Sequence, residues 1–115
     1  MTEKQPLCGE VWLVDLNPVR GHEQAGKRPA LVISVDLFNC GPAELVVILP
    51  ITTKNKGIPF HVEITPPEGG LNEKSLIKCE DIRSVAKERL SSLLGTVSQA
   101  TMAEIQDRVR ILLNL

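Results

Sequence analysis

The chain has 115 residues, a formal net charge of −1 and 43% hydrophobic residues, with aromatics at 3%. That is one domain, residues 1–115, able to bury a core built on Val, Ile and Leu, and its charge excludes a globally basic nucleic-acid binder. Cys8, Cys40 and Cys79 are odd in number and form no CxxC pair, residues 1–10 lack a signal peptide's apolar run, and no segment nears the ~18 apolar residues that span a bilayer; a reduced, cytoplasmic protein without a membrane partner is expected.

Residues 9–16, GEVWLVDL, read as a strand bounded by Gly9 and by Asn17-Pro18. Residues 29–36, PALVISVD, read as a second, with Pro29 restricted to a strand start or an edge. The run 45–51, LVVILPI, is continuously apolar, as a strand buried on both faces would be. In 59–65, PFHVEIT, Phe60, Val62 and Ile64 alternate inward while His61 and Glu63 alternate outward, which makes His61 a surface residue. TPPEGG (65–70) is a turn, 75–80 and 81–86 are one bent strand or two short ones, and 92–97 is a further strand. The period then changes: Met102, Ile105, Val109 and Leu112 recur at helical spacing, with Ser98 or Thr101 as cap and Thr101 with Glu104 matching a capping box. Strands in a row followed by one helix predict an antiparallel sheet or small barrel with the helix packed on it.

Three polar places interrupt this pattern. The stretch 17–28, NPVRGHEQAGKR, carries Arg20, Lys27 and Arg28 against Glu23. Arg28 immediately precedes Pro29, and proline confines the residue before it to extended backbone, which fixes where the arginine points. Such an arginine presents a planar, permanently charged fork to a phosphate. The stretch 52–58, TTKNKGI, carries Lys54 and Lys56 beside two hydroxyls. Both stretches suit a polyanion. Lys78 and Glu80 share a parity and face away from Ile77 and Cys79, which belong to the core. His22 and His61 have no partner at metal-ligand spacing, so no metal site is expected. There is no P-loop, no GxGxxG and no GxSxG elbow, so no nucleotide cofactor or hydrolase nucleophile is indicated.

At these residues a family resemblance emerges. GEVWLVDLNPVRGHEQAGKRPALVIS resembles the N-terminal signature of the MazF/PemK (Kid) toxins of bacterial toxin–antitoxin pairs. PITTKNKGIPFHVEI and LIKCEDIRSV resemble that family's second and third blocks, in order and at matching separations. The resemblance implies an SH3-like antiparallel barrel of the CcdB/MazF kind, mainly β with a C-terminal α-helix, assembled as a homodimer. It implies a ribosome-independent endoribonuclease that cuts single-stranded RNA, chiefly mRNA, without cofactors. It also implies a cognate antitoxin whose disordered tail covers the active face, with DNA approached only indirectly through the antitoxin complex.

RNA cleavage of this kind uses the substrate's 2′-OH as nucleophile and leaves a 2′,3′-cyclic phosphate and a 5′-OH. The protein supplies a base, an acid and positive charge for the phosphorane. By the resemblance, Arg28 matches the catalytic arginine and Thr52 the threonine that donates a hydroxyl to the phosphate. Glu23 matches a carboxylate proposed as general base, and His22 a histidine of the Kid-like branch, whose imidazole suits acid–base work. Kid-like members place an arginine and an aspartate where this chain has Lys78 and Glu80. Lysine lacks the bidentate fork, so Lys78 is expected as a phosphate contact and Glu80 as a weaker acid–base candidate. Gln24, Lys27, Thr53, Lys54 and Lys56 are expected RNA contacts. Specificity is expected in 17–27, 52–58 and 37–44. Two alternatives share the fold: a CcdB-like gyrase poison that cuts nothing, and an inactive barrel that binds a peptide.

Overall fold

The computed structural model describes residues 4–16 and 26–115. Seven strands and one long helix follow in chain order: β1 (Glu10–Asp15), β2 (Lys27–Val32), a short helix α1 (Asp36–Asn39), β3 (Leu45–Thr52), β4 (His61–Ile64), β5 (Ser75–Lys78), β6 (Arg83–Ala86), β7 (Leu90–Thr96) and α2 (Gln99–Leu113). The expected strand over 29–36 begins two residues earlier and stops at Val32, because Asp36 already opens α1. The residues 75–86 form two short strands rather than one bent one.

All strand pairs are antiparallel, in the order β4-β5-β3-β2-β1-β7, with β6 also on β3. β3 organises the sheet. One edge pairs with β2; the other pairs first with β6, over Leu45–Ile48, then with β5, at Ile51 and Thr52. Pro50, which has no N–H to give, falls in the gap where β3 changes partner. Pro29 sits just before the β2–β3 pairing begins at Ala30, so its missing donor costs that ladder nothing.

Alternation sends neighbouring residues to opposite faces. Val11, Leu31, Leu49, Ile51, Val62, Ile64, Ile77 and Cys79 form one cluster, closed by Ile105 of α2. Trp12, Val14, Leu16, Ala30, Val32, Val46, Ile48 and Val85 form a second on the other face. β3 feeds both, as its uninterrupted apolar run predicts.

The sheet is barrel-like, and packing rather than a ladder brings its two ends together. The 3₁₀ turn Glu68–Gly70, which follows β4, sits against β7 at the opposite end of the strand order. There Gly70 adopts φ +70°, and a Cβ on it would lie 1.9 Å from the Leu94 carbonyl oxygen. Only glycine allows both the turn and the approach.

Of the two caps expected for the C-terminal helix, Ser98 is the one used, and the Thr101–Glu104 box is not formed. Ser98 is the cap: its hydroxyl accepts the Thr101 N–H at 3.1 Å. The carboxylate that completes the cap comes from the 3₁₀ turn: Glu68 Oε2 accepts the Ser98 N–H at 2.9 Å and the Thr101 hydroxyl at 2.5 Å. Met102, Ile105 and Val109 face the first cluster as their spacing predicts. Leu113 and Leu115 are exposed, and Leu112 is half-buried.

Candidate active site

The second cluster ends where β3 runs out, and the same face turns polar. Thr52 has the parity of Ile48 and Pro50, and so lies on this face. Its Oγ1 accepts the Lys54 N–H at 3.1 Å, a tight turn that starts the basic loop and holds the hydroxyl at the strand's mouth. β2 and β3 pair as Ala30–Pro50, Leu31–Leu49 and Val32–Ile48. That pairing ends at Ala30–Pro50, and Arg28 and Thr52 lie two residues beyond it, on the same face and toward the same end of their neighbouring strands. Arg28 is exposed there, directly before Pro29.

Beside Thr52 lies a cavity of about 330 Å³. Its charged lining comprises Lys54, Lys56, Lys78 and Arg83 against Glu80 and Asp81. The excess of cations makes it a receptor for an anion although the chain as a whole is slightly acidic. Asp81 Oδ2 holds the Arg83 guanidinium at 2.9 Å and the Lys78 ammonium at 3.5 Å. Lys78 and Glu80 face the cavity while Ile77 and Cys79 are fully buried behind them, as the alternation predicts. Burial first, with help from the Glu80 carboxylate, pushes the Cys79 thiol up to about 11. That thiol is a core group and no nucleophile.

His61 departs from expectation. It lies opposite Lys78 in the β4–β5 ladder, which puts it on the cavity face. Its side chain is 4% exposed, and its Nε2 lies 2.9 Å from Glu80 Oε2. Outward on β4 therefore means into the cavity wall rather than into water. His61, Asp81 and Arg83 are the lining residues that sequence reasoning missed. The parity that linked Lys78 to Glu80 links His61 to both once the hairpin register is known.

The remaining expected residues sort plainly. Thr52, Lys54, Lys56, Lys78 and Glu80 are brought together around the cavity. Thr53 is exposed and Lys27 lies exposed at the start of β2, opposite Asp15; neither lines the cavity. His22, Glu23 and Gln24 lie outside the described residues. The 37–44 segment, expected as a specificity element, contributes nothing to the lining: α1 packs near the start of β3, held by the Ser34–Asn39 side-chain pair, away from Thr52. No group of His, Cys, Asp and Glu suited to a metal ion occurs among the described residues. Among the described residues, no helix is long and apolar enough to cross a membrane.

Residues 7–113 match the signature of the PemK-like, MazF-like toxins of type II toxin–antitoxin systems. The chain belongs to this family. An endoribonuclease MazF9 of Mycobacterium tuberculosis is 37% identical over 112 residues, 93% of this chain and 95% of its own length. An endoribonuclease MazF of Staphylococcus epidermidis is 37% identical, covering 93% of this chain and 90% of its own. Among solved structures, MazF of Deinococcus radiodurans superposes with a TM-score of 0.84 at 29% identity, over 98% of this chain and all of that one. A mycobacterial endoribonuclease solved with its cognate antitoxin gives a TM-score of 0.79 at 29% identity, over 96% of each chain. Such MazF-like toxins thus share this sheet and C-terminal helix over nearly their whole length.

Proposed function

We propose that this protein is an endoribonuclease of the MazF kind, the toxin of a toxin–antitoxin pair, cleaving single-stranded RNA by attack of its own 2′-OH. The observation that carries the reading is a cation-lined cavity that includes Thr52, with Arg28, outside that lining, on the same face of the neighbouring strand. The 2′-oxygen bonds to phosphorus as the bond to the 5′-oxygen breaks. One proton leaves the 2′-OH and one arrives on the departing 5′-oxygen, so no metal is required by the balance. Arg28 supplies permanent charge to the equatorial oxygens of the phosphorane, and Thr52 donates its hydroxyl to one of them. Glu23 and His22 are the proton-transfer candidates. Lys54, Lys56 and Lys78 hold flanking phosphates.

The same basic surface suits the acidic, disordered tail of a cognate antitoxin, and we assign the toxin a homodimeric state in the cytoplasm, where mRNA is available.

The test is cleavage of a mixed-sequence single-stranded RNA in excess EDTA, beside a 2′-deoxy version of the same strands. Cleavage of the RNA alone, with cyclic-phosphate ends, is expected. Arg28→Ala should reduce the rate by roughly 100- to 1,000-fold, the cost of removing one preorganised charge donor. Arg28→Lys should restore little of it, because an ammonium cannot replace the fork. Intact RNA across all sequences overturns the reading.

A further inference from the structure

Two buried side-chain atoms lack any hydrogen-bond partner among the described residues: His61 Nδ1 and Glu80 Oε1. They are the free ends of one pair, since His61 Nε2 and Glu80 Oε2 bond each other at 2.9 Å. Both residues line the cavity beside Thr52. Buried polar atoms are almost always satisfied, and an orphan has given up its water without gaining a partner. Two orphans at the free ends of one bonded pair in a cavity wall mark a place completed by something else.

Their chemistry says what. A carboxylate oxygen accepts hydrogen bonds, so the free Glu80 Oε1 is an acceptor and its complement must bring a donor. A phosphate brings none, and a ribose hydroxyl brings one. A nucleobase with an exocyclic amino group brings two hydrogens on one nitrogen. Uracil offers a single N–H flanked by carbonyl oxygens that would face the carboxylate.

We propose that Glu80, positioned by His61, reads the amino group of an adenine, cytosine or guanine next to the cleaved phosphate, and rejects uracil there. This rests on the RNA-cleaving function proposed above. It gives Glu80 a specificity role in place of proton transfer. It also gives a chain poor in aromatics a means of base selection that does not depend on stacking. His61 is a positioning residue: with one ring nitrogen on Oε2, it leaves Oε1 to the base. Glu80 is 28% exposed at its side chain and lines the cavity.

The experiment sequences the 5′-OH ends released from a randomised single-stranded RNA pool. Wild type should show one position beside the cut where amino bases outnumber uracil by about tenfold or more, the discrimination expected of a polar base contact. Glu80→Gln places an amide donor there and should collapse that preference toward uracil while other positions stay unchanged. His61→Gln, whose amide can still donate to Oε2, should retain part of the preference, and His61→Ala should lose it; thermal melts establish that each variant is folded. A Glu80→Gln protein that cuts more slowly with an unchanged preference overturns the inference, as does a wild-type preference for uracil at every position near the cut. If wild type cuts no RNA, the cleavage reading itself fails. The base contact is then tested by selecting tight binders from a 2′-deoxy-substituted pool, where loss of amino-base enrichment in Glu80→Gln supports it and equal enrichment overturns it.

Discussion

Gly70 shows how little room single positions have in this protein. Its φ of +70° is unfavourable for any side chain, and a Cβ would lie 1.9 Å from the Leu94 carbonyl oxygen. Gly70→Ala should destabilise the fold by roughly 2–4 kcal/mol, read as a lower midpoint in urea unfolding; an unchanged midpoint would mean that β7 can move away from the turn. At this scale the sequence was legible where backbone chemistry singles a residue out. Arg28 is marked by the proline that follows it, and Thr52 by its place where an apolar run meets a basic loop. His61 was not legible. Alternation says which side of a strand a residue takes, but not whether that side meets water or the wall formed by another strand. The answer depends on the β4–β5 register and on Glu80, nineteen positions away in the chain.

Among the elements, α2 depends on a residue far outside itself. Glu68 completes its cap across 30 positions of sequence. Burial works against the Glu68 charge, but the Thr101 hydroxyl and the Ser98 contacts outweigh it and hold the carboxyl below its ordinary value. A carboxyl lowered on folding stabilises the native state at pH values above its unfolded pKa, about 4.3 for a free glutamate, and that contribution is lost as pH falls through the lower, folded value. Glu68→Gln should therefore cost about 1 kcal/mol at neutral pH, in line with loss of a helix cap, and should flatten the fall in stability below about pH 4.5. Melting temperatures of both proteins from pH 3 to 7 check it; parallel curves would remove Glu68 from the cap. The helix itself was legible from its spacing, and its partner was not, because a local motif at Thr101 and Glu104 mimics the box that Glu68 completes from a distance.

Across the whole molecule, charge is distributed against its own total. The formal balance is −1, yet the cavity carries more cations than carboxylates. RNA affinity should accordingly fall steeply with salt. Lys54→Ala and Lys56→Ala should each lower the slope of log affinity against log salt by about 0.7, the value for one single-strand phosphate contact, and weaken all sequences alike. Titrations of a non-cleavable strand between low and moderate salt test this; an unchanged slope would place both lysines outside the RNA path. The fold at this scale was legible because strand follows strand with little between them. The pairing order was less so: that β3 serves β2, β5 and β6 follows from where the prolines interrupt donors, and is plain only in hindsight.

Ile51 and Thr52 are adjacent on β3 and point in opposite directions, one into the cluster closed by Ile105 of α2, the other toward the cavity. Core and hydroxyl therefore hang from the same peptide unit. A backbone shift that accommodates a misfit on one side must swing the other, so the aim of the hydroxyl is calibrated by packing it never touches. Substitutions at Ile105, which does not line the cavity, would then detune the chemistry in proportion to how far they let β3 drift.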